Sequence, residues 1–541
     1  MYTVRGRLKD KYFLSSLIIT IIVIVISRSP YAYPLLFIPV AVGLVRIVLP
    51  ILRQKMRIAI ADINLLFLLL HLYAIATGKP TRRRLFEPRC IVGRYGEYET
   101  ILRRIAVLAV EWGYGFVKAI RMIAGRVKNG LFRDFLLRFS EVLRTGEDVE
   151  AFLDVEYRAL RRNFQAQYYR SMDVMRIVLG LYTTLMSSAA FVIIVVTVLM
   201  LFAGADTVLY TLVVIGASGL IAIFAIITYL TVPKEWLTPK VKPKPKAIYR
   251  GYKIALVTGL ILMGILSYIT YTTFKQLEYV LAMGALPLTL PGLMAKRIEH
   301  RIKRIESFYP IFIRSFGLTY SVIPHQAKAM QSILMSDFGP LTPALKRVYA
   351  RLTNGVDPHT AWRYFIFDTW SDLITKCTNI MVDSVDAGGN TQTIGTTLSD
   401  IFTRILDLRN MRERTARVFE VTVYLLQILT TGIVTTIIFL IEQFSNYMQA
   451  FTTIAGFQGL MGVLPLSVVL PNLPFITNVT ICFLAFLTVV NALTIKVAYG
   501  GIPETFWIQL SLLLMLTSGA VTVMRILVQT LFGRVFMIPV P

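Results

Sequence analysis

The chain contains the same polar module twice, and a long apolar run follows each copy. Glycines, cations and apolar residues recur 243 residues apart at the start of the module and 242 residues apart from Gly113 onward, as for Gly146 and Gly388. Other matched positions are Gly96 with Gly339, Arg103 and Arg104 with Lys346 and Arg347, Gly113 with Gly355, and Arg121 with Arg363. Repetition on this scale is typical of a duplicated scaffold rather than of a single buried catalytic cleft.

The apolar runs are long enough to cross a membrane. Of 541 residues, 55% are hydrophobic, the mean hydropathy is +0.64, and one helical crossing needs about 20 apolar residues. The nine candidate spans are 12–27, 31–49, 174–202, 208–231, 254–274, 279–294, 419–441, 475–495 and 505–527. We therefore predict an all-α polytopic membrane protein with about nine transmembrane helices and two repeated cytoplasmic helical-bundle domains.

Two apolar stretches allow more than one interpretation. The stretch 58–77 contains Asp62 and His71 and has cations on both flanks, so we assign it to the polar block and not to a span. The first run, 12–27, has no convincing small-residue cleavage site and a second span follows it directly, so we interpret it as a retained helix and not a signal peptide.

These choices give five expected segments. They are an N-terminal transmembrane pair (1–50), a first cytoplasmic helical domain, called the first module (51–173), four transmembrane helices with a basic Pro/Lys loop near 231–253 (174–294), a second cytoplasmic helical domain, called the second module (295–418), and three C-terminal transmembrane helices (419–541).

The distribution of cations orients the chain. Of 57 Lys and Arg, 50 fall on one predicted face: in the N-terminal tail, the two modules and the loop 231–253. Lys and Arg near the membrane remain on the cytoplasmic side, so we predict a multi-pass protein of the cytoplasmic membrane with its N-terminus in the cytoplasm. The basic, Pro-rich stretch 239–246 is expected to be a stiff linker and a topology determinant.

Both modules are predicted to be helical, because apolar residues recur every three or four positions. The stripes are Tyr98, Leu102, Ile105 and Ala109; Phe132, Leu136, Phe139 and Leu143; Leu341, Leu345, Val348 and Leu352; and Ile374, Thr378, Met381 and Val385. Glycines that follow or precede the stripes are expected to form turns or helix caps. They are Gly96, Gly113, Gly146, Gly339, Gly355, Gly388 and Gly389.

The second module carries a family resemblance. The runs 337–347, 352–356 and 382–390, the last containing Ala387, Gly388, Gly389 and Asn390, resemble the signature region of the type II secretion system protein F family. The nine-span layout is similar to the archaeal branch, the platform proteins of archaella and adhesive pili. The first module departs from the pattern, since Thr145 to Asp148 replace the residues around the double glycine.

The resemblance implies a non-enzymatic membrane platform that couples a hexameric cytoplasmic secretion ATPase to the insertion of pilin-like or archaellin subunits into a filament. The cations expected to contact the ATPase are Arg103, Arg104, Lys346 and Arg347, followed by Arg82, Arg83 and Arg84. The alternative for each is a solvated helix face or a lipid contact. The sequence does not choose between archaellum and adhesive pilus, or between a monomer and a homodimer.

The sequence contains no catalytic constellation, and we expect no cofactor and no metal site. There is no phosphate-binding Gly-rich loop ending in Lys-Ser or Lys-Thr. The three cysteines and four histidines are dispersed: Cys90, Cys377, Cys482, His71, His300, His325 and His359. The net charge of +26 comes with no nucleic-acid recognition motif, so we expect no nucleic-acid partner.

Two rival functions remain from the sequence. A membrane aspartyl peptidase would need a Gly-x-Gly-Asp motif, and the nearest string, 203–206, lacks one glycine. A polytopic secondary transporter is the main alternative, although transporter repeats are built from the spans and this repeat is strongest in the modules.

Overall fold

In the computed structural model, the described residues are 62–93, 95–203, 207–233, 235–239, 246–274, 277–452 and 473–535. They form helices joined by turns, and no strand occurs among them. The expected N-terminal pair of spans, 12–27 and 31–49, lies outside the described residues, as do most of the basic linker 239–246 and most of the string 203–206.

Seventeen α-helices make up the described part of the chain. They are α1 (Ile63–Ala76), α2 (Arg82–Leu85), α3 (Glu97–Val110), α4 (Phe116–Ala124), α5 (Gly130–Thr145), α6 (Val149–Ala203), α7 (Thr207–Thr231), α8 (Lys246–Phe274), α9 (Leu277–Ala285), α10 (Thr289–Val322), α11 (Gln326–Ile333), α12 (Thr342–Thr353), α13 (Pro358–Thr369), α14 (Asp372–Asp386), α15 (Thr391–Thr452), α16 (Leu473–Tyr499) and α17 (Phe506–Val535).

Seven helical stretches in the described residues are long and apolar enough to cross a membrane. They are Val149–Met200, Thr207–Thr231, Tyr249–Phe274, Tyr279–Val322, Thr391–Gln443, Phe475–Tyr499 and Pro503–Leu531. Each contains or largely overlaps one of the last seven expected spans. The all-α polytopic membrane class is therefore confirmed, with seven spans in the part of the chain that the structure describes.

Two of the helices are far longer than a membrane is thick. Helix α6 has 55 residues and α15 has 62, which at 1.5 Å per residue gives about 80 and 90 Å. The hydrocarbon core of a bilayer is about 30 Å thick. Each helix therefore continues without a break from its module into the membrane.

The small helices of the modules pack by their apolar stripes. In α3, Leu102 and Ile105 are fully buried, and in α5 the stripe at Phe132, Leu136 and Phe139 is buried as well. The corresponding helices of the second module, α12 and α14, bury theirs in the same way. The period-3.6 pattern thus identified the faces that form the core.

Helix α1 (Ile63–Ala76) contains most of the apolar stretch 58–77. It is 14 residues long, about 21 Å, which is too short to cross a bilayer. Its residues from Leu65 to Ala76 are all buried, because α1 lies between α6 of its own copy and α14 of the second module. A helix that is apolar on every side is here an internal helix of the protein.

Six of the seven expected turn and cap glycines have positive φ angles. The C-cap of α5 is Gly146 at +78°, and Gly388 follows α14 at +72°. The other four are Gly96, Gly113, Gly339 and Gly355. Glycine reaches this left-handed conformation without the steric cost that a Cβ imposes. The seventh, Gly389, is required for a different reason given below.

Candidate functional site

The first pair of expected contact residues lies on an open surface. Arg103 and Arg104 are exposed on α3 and line a groove of about 520 Å³ together with the side chain of Trp112. Trp112 is 68% exposed, an unusual position for a large aromatic side chain. The groove therefore combines positive charge with apolar surface.

The repeat-related pair lies on the exposed face of α12. Lys346 and Arg347 both face solvent, and the Nε of Arg347 lies 2.8 Å from Oδ2 of Asp368. An exposed ion pair of this kind contributes little to stability. Both residues are accessible to a partner.

The three arginines of α2 differ from one another. Arg82 is exposed, and Arg83 places its Nε 3.2 Å from the carboxylate of Glu87. Arg84 instead points inward, where its guanidinium contacts the carboxylate of Asp383 in the second module. The structure thus gives Arg84 a place between the two modules, which the sequence pattern did not indicate.

Asp383 is the centre of a buried polar cluster that joins the modules. Its Oδ2 lies 2.8 Å from Nε2 of His71 and accepts the backbone N–H of Arg89 at 2.9 Å, while Arg84 contacts Oδ1. Nδ1 of His71 lies 3.0 Å from the hydroxyl of Tyr95. We call His71, Arg84, Tyr95 and Asp383 the inter-module cluster.

The surroundings of Asp383 stabilise its ionised form. Burial by itself raises the pKa of a carboxyl group, but hydrogen bonds and charge from His71, then from Arg84 and the amide of Arg89, outweigh that effect and lower the pKa of Asp383. An ionised carboxylate only accepts hydrogen bonds, so the Nε2 of His71 carries the proton that it donates to Asp383.

Asn379, one turn before Asp383, holds the same segment of the first module. Its Oδ1 accepts the backbone N–H of Ile91 at 3.1 Å, and its Nδ2 donates to the carbonyl of Val92 at 2.7 Å. A buried segment outside helices and sheets has backbone N–H and C=O groups without backbone partners. A side-chain amide such as that of Asn379 supplies those hydrogen bonds. The chain between α2 and α3 is therefore fixed onto α14.

The double glycine packs against the end of α1. A Cβ on Gly389 would lie 2.8 Å from Oγ1 of Thr77 and 3.0 Å from the carbonyl oxygen of Ala74, and a Cβ on Gly78 would overlap the carbonyl of Ala387. Thr77 Oγ1 also accepts the N–H of Asn390 at 3.0 Å. Gly388 provides the turn and Gly389 provides the space for this contact.

Sequence reasoning noted Asp62 and His71 within an apolar stretch but did not pair them. Polar groups inside an apolar helix need buried partners, and that signal could have placed α1 inside the protein. Tyr98 donates its hydroxyl proton to Oδ2 of Asp62, and Oδ1 of Asp62 caps α1 by accepting the N–H of Asn64 at 2.9 Å. No sequence pattern pointed to Asp383 as the partner of His71.

A second group of charged residues lies where the second module meets the spans. Its members follow or precede the apolar stretches of α7, α10, α15 and α16. We call them the boundary ion cluster, and they are Glu235, Glu299, Lys303, Glu306, Arg409, Arg412, Glu413 and Lys496.

Arg409 links three elements within the boundary ion cluster. Its Nε lies 2.8 Å from Glu235 and its Nη1 lies 3.1 Å from Glu306, while Glu306 also accepts the hydroxyl of Ser371 at 2.5 Å. The side chain of Glu306 is only 1% exposed. Buried charges are tolerated only when they are paired and hydrogen-bonded. These pairs therefore hold three elements together: α10, α15 and the loop that follows α7.

The remaining members extend the same arrangement to α16. Lys303 lies 2.7 Å from Glu299 and 2.5 Å from Glu413, and Lys496 lies 3.6 Å from Glu299. Arg412 donates to three carbonyl groups, those of Pro233, Val497 and Ala498, at 2.8 to 3.0 Å. Such carbonyls at a helix end would otherwise lack donors.

Four spans share an uncharged polar network. Nδ2 of Asn491 donates to Oε1 of Gln427 at 2.6 Å, and Nε2 of Gln427 reaches the hydroxyls of Thr488 and Thr517 at 3.0 and 2.9 Å. Tyr182 donates to Asn491 at 2.5 Å. These bonds connect α6, α15, α16 and α17 without an acid or a base, so they resemble structural contacts between helices and not an ion relay.

Within the described residues, no group of three or more His, Cys, Asp or Glu side chains is arranged to hold a metal ion. Of the cysteines, Cys377 is buried, and Cys90 and Cys482 are partly buried. The buried polar groups described above are instead paired with each other, as in structural contacts between packed helices.

Comparison with known proteins gives a consistent result. Residues 325–441 match the family described as Type II secretion system (T2SS), protein F. Flagella accessory protein J of Methanocaldococcus jannaschii is 29% identical to the chain over 345 residues, which are 61% of this chain and 60% of the relative. Flagella accessory protein J of Methanococcus voltae is 25% identical over 336 residues, 60% of each protein.

The chain thus spans 60% of the length of the curated relatives it matches. No solved structure matches the chain. The family match begins at His325 and ends at Ile441, so it contains α11 to α14, Asp383 with its double glycine, and the part of α15 that enters the membrane.

Proposed function

This chain belongs to the type II secretion system protein F family, and we propose that it is the non-enzymatic membrane platform of an archaellum or archaeal type IV pilus machine. The platform couples a hexameric cytoplasmic secretion ATPase to the insertion of pilin-like or archaellin subunits into a filament. It is a multi-pass protein of the cytoplasmic membrane, and its N-terminus lies in the cytoplasm.

The observation that carries the proposal is the continuity between modules and spans. Helices α6 and α15 run unbroken from each module into the membrane, and the boundary ion cluster ties α15 to α10, α16 and the loop after α7. A force applied to the modules is therefore passed on as a rigid-body movement of the spans, which is a known route for conformational change.

The inter-module cluster supports the same function. It holds α14 of the second module against α1 of the first, so the two copies respond to the ATPase as one body. The exposed cations of α3 and α12 occupy repeat-related positions on this body, which suits a partner whose subunits each present an equivalent acidic surface to them.

Charge reversal on α12 tests the proposal. We expect the variant with Lys346→Glu and Arg347→Glu to insert normally into the membrane but to assemble no filaments in cells that depend on this chain, because like charges would then face the acidic partner. The matched control reverses two other exposed cations of the second module, Lys328→Glu with Arg363→Glu, and should retain filaments. Filaments in the α12 variant would remove those residues from the contact.

Detergent pull-down of the tagged chain from its native membranes, with mass spectrometry, tests the partners themselves. We expect a secretion ATPase and pilin-like subunits to be recovered, and the type of subunit will distinguish motility from adhesion. ATP hydrolysis by the purified chain alone would contradict the non-enzymatic assignment. Recovery of neither partner, with stabilisation by a small solute, would instead favour a transporter.

A further inference from the structure

A row of basic residues lies on α10 directly after its apolar N-terminal part. Its members occupy positions i, i+1, i+4, i+5 and i+8 on one exposed face of the helix. They are Lys296, Arg297, His300, Arg301 and Arg304. Like charges four residues apart on a helix repel each other. Among the described residues no acid forms an ion pair with Arg297 or Arg301, so this face lacks a counter-anion.

A small cavity opens beside the two arginines. It has a volume of about 210 Å³, and Arg297 and Arg301 line it together with Ile302, Phe367 and Trp370. Its walls are mainly apolar. Asp368 also lines the cavity, but its carboxylate is already paired with Arg347 at 2.8 Å.

Trp370 provides an unused hydrogen-bond donor in the wall of this cavity. The side chain is 5% exposed, packed with Leu237, Ile302 and Ile502, and its Nε1 is buried without a partner. Its φ angle of +52° is uncommon for a residue other than glycine and is kept only when the surroundings determine it. A buried N–H without an acceptor costs free energy.

In a bilayer, the cavity is expected to lie at the level of the membrane surface. The apolar part of α10 ends at Ala295, one residue before the row of cations, and Tyr249 in the first turn of α8 forms part of the opposite wall. Aromatic residues and cations together are typical of the membrane–water interface. A molecule in this cavity would therefore reach both headgroup and acyl regions.

We propose that this cavity binds one anionic phospholipid of the cytoplasmic leaflet. The lipid phosphate lies between Arg297 and Arg301, and the Nε1 of Trp370 donates to a headgroup or glycerol oxygen. The part of the acyl chains nearest the headgroup covers the apolar wall of the cavity. Arginine pairs well with phosphate because its guanidinium offers two parallel donors. A free phosphate ion would leave the apolar wall of the cavity exposed. An acidic peptide would not be expected at the depth of the membrane surface.

Lipid binding to the full chain in detergent tests this proposal. Native mass spectrometry would compare dioleoylphosphatidylglycerol with dioleoylphosphatidylcholine on the purified protein. We expect Arg297→Gln with Arg301→Gln to weaken phosphatidylglycerol binding by about tenfold to thirtyfold, since each cation near an anionic headgroup adds to binding. Phosphatidylcholine binding should not change.

The matched control removes two exposed cations from another surface of the second module, Lys328→Gln with Arg363→Gln, and should bind phosphatidylglycerol like the parent chain. Trp370→Phe keeps an aromatic ring and removes the N–H, so it should lower phosphatidylglycerol affinity several-fold. Because Arg297 and Arg301 are exposed, their replacement leaves the fold intact. Unchanged binding in that variant, or equal affinity for the two lipids, would overturn the proposal.

Competition separates the lipid from other anions. Inorganic phosphate at the same concentration should not displace phosphatidylglycerol, and neither should a polyglutamate peptide. Displacement by phosphate would show that the headgroup charge alone is recognised, and displacement by the peptide would show a protein-docking surface. Either result contradicts a lipid site.

Discussion

Replacement of Asp383 by asparagine should loosen the contact between the modules. The substitution keeps the shape of the side chain but removes the charge that Arg84 and His71 face. Loss of one partner from a buried ion pair costs about 3 to 5 kcal/mol. The Arg84 side chain is 16% exposed while that of Asp383 is 1% exposed, so water can partly solvate the remaining guanidinium, and we expect about 3 kcal/mol.

Hydrogen exchange of the full chain in detergent measures this loss where it occurs. If α1 and α14 separate locally before they exchange, a loss of about 3 kcal/mol speeds exchange of their amides by about 150-fold. Peptides from α16 and α17 should exchange as in the parent chain. Global thermal unfolding is less informative, since a large membrane protein need not unfold in one step.

The repeat supplies the matched control. Glu141 is the counterpart of Asp383 in the first module, and it lies on the surface, where it contacts Arg121 and Arg144. Glu141→Gln should therefore change exchange in α1 by less than about threefold. If Asp383→Asn also leaves exchange in α1 and α14 within that limit, then the inter-module cluster does not hold the modules together.

Three further outcomes are expected. Gly389→Ala should cost about 1 to 3 kcal/mol through overpacking against the end of α1, measured by the same exchange, whereas Gly216→Ala, with open space around its Cβ position, should not destabilise the fold. Because the pKa of Asp383 is lowered in the folded state, its contribution is present at neutral pH, begins to fall as the pH drops below about 4, and is lost as the pH falls through the lowered pKa; α1 protection in the parent chain that shows no decline below pH 4 would contradict this. Arg409→Gln leaves Glu306 buried without its cation and should cost about 3 to 5 kcal/mol, measured by hydrogen exchange in peptides from α10 and α15, and the added change Glu306→Gln should recover part of the loss.

Local periodicity was enough to predict much of this fold. Each apolar stripe in the modules is a property of about 12 adjacent residues, and the burial of Leu102, Ile105 and Leu136 follows from helix geometry alone. The spans in the described residues were found equally well, since an apolar stretch of sufficient length is also a local signal. Gly146 and Gly388 were identifiable because only glycine reaches their backbone conformation without steric cost.

Long-range polar partners were not predictable in this way. His71 and Asp383 are 312 residues apart, and neither residue reveals the other by its spacing. Glu306 and Arg409 carry a weak signal, because each lies on the apolar face of its helix where a charge needs a partner. The choice of that partner depends on how α10 and α15 pack, which is a tertiary property.

The departure of the first module from the family signature has a structural explanation. The turn after α14 faces α1, so it needs Gly388 for its left-handed backbone and Gly389 for close approach. The turn after α5 ends at the surface, so it needs only Gly146, and the position matching Gly389 is free to be Glu147. The contact between the modules therefore constrains this turn only in the second copy. A chain with Glu147→Gly should therefore keep its fold, while Gly389→Glu should separate α1 from α14 and expose both helices to rapid hydrogen exchange.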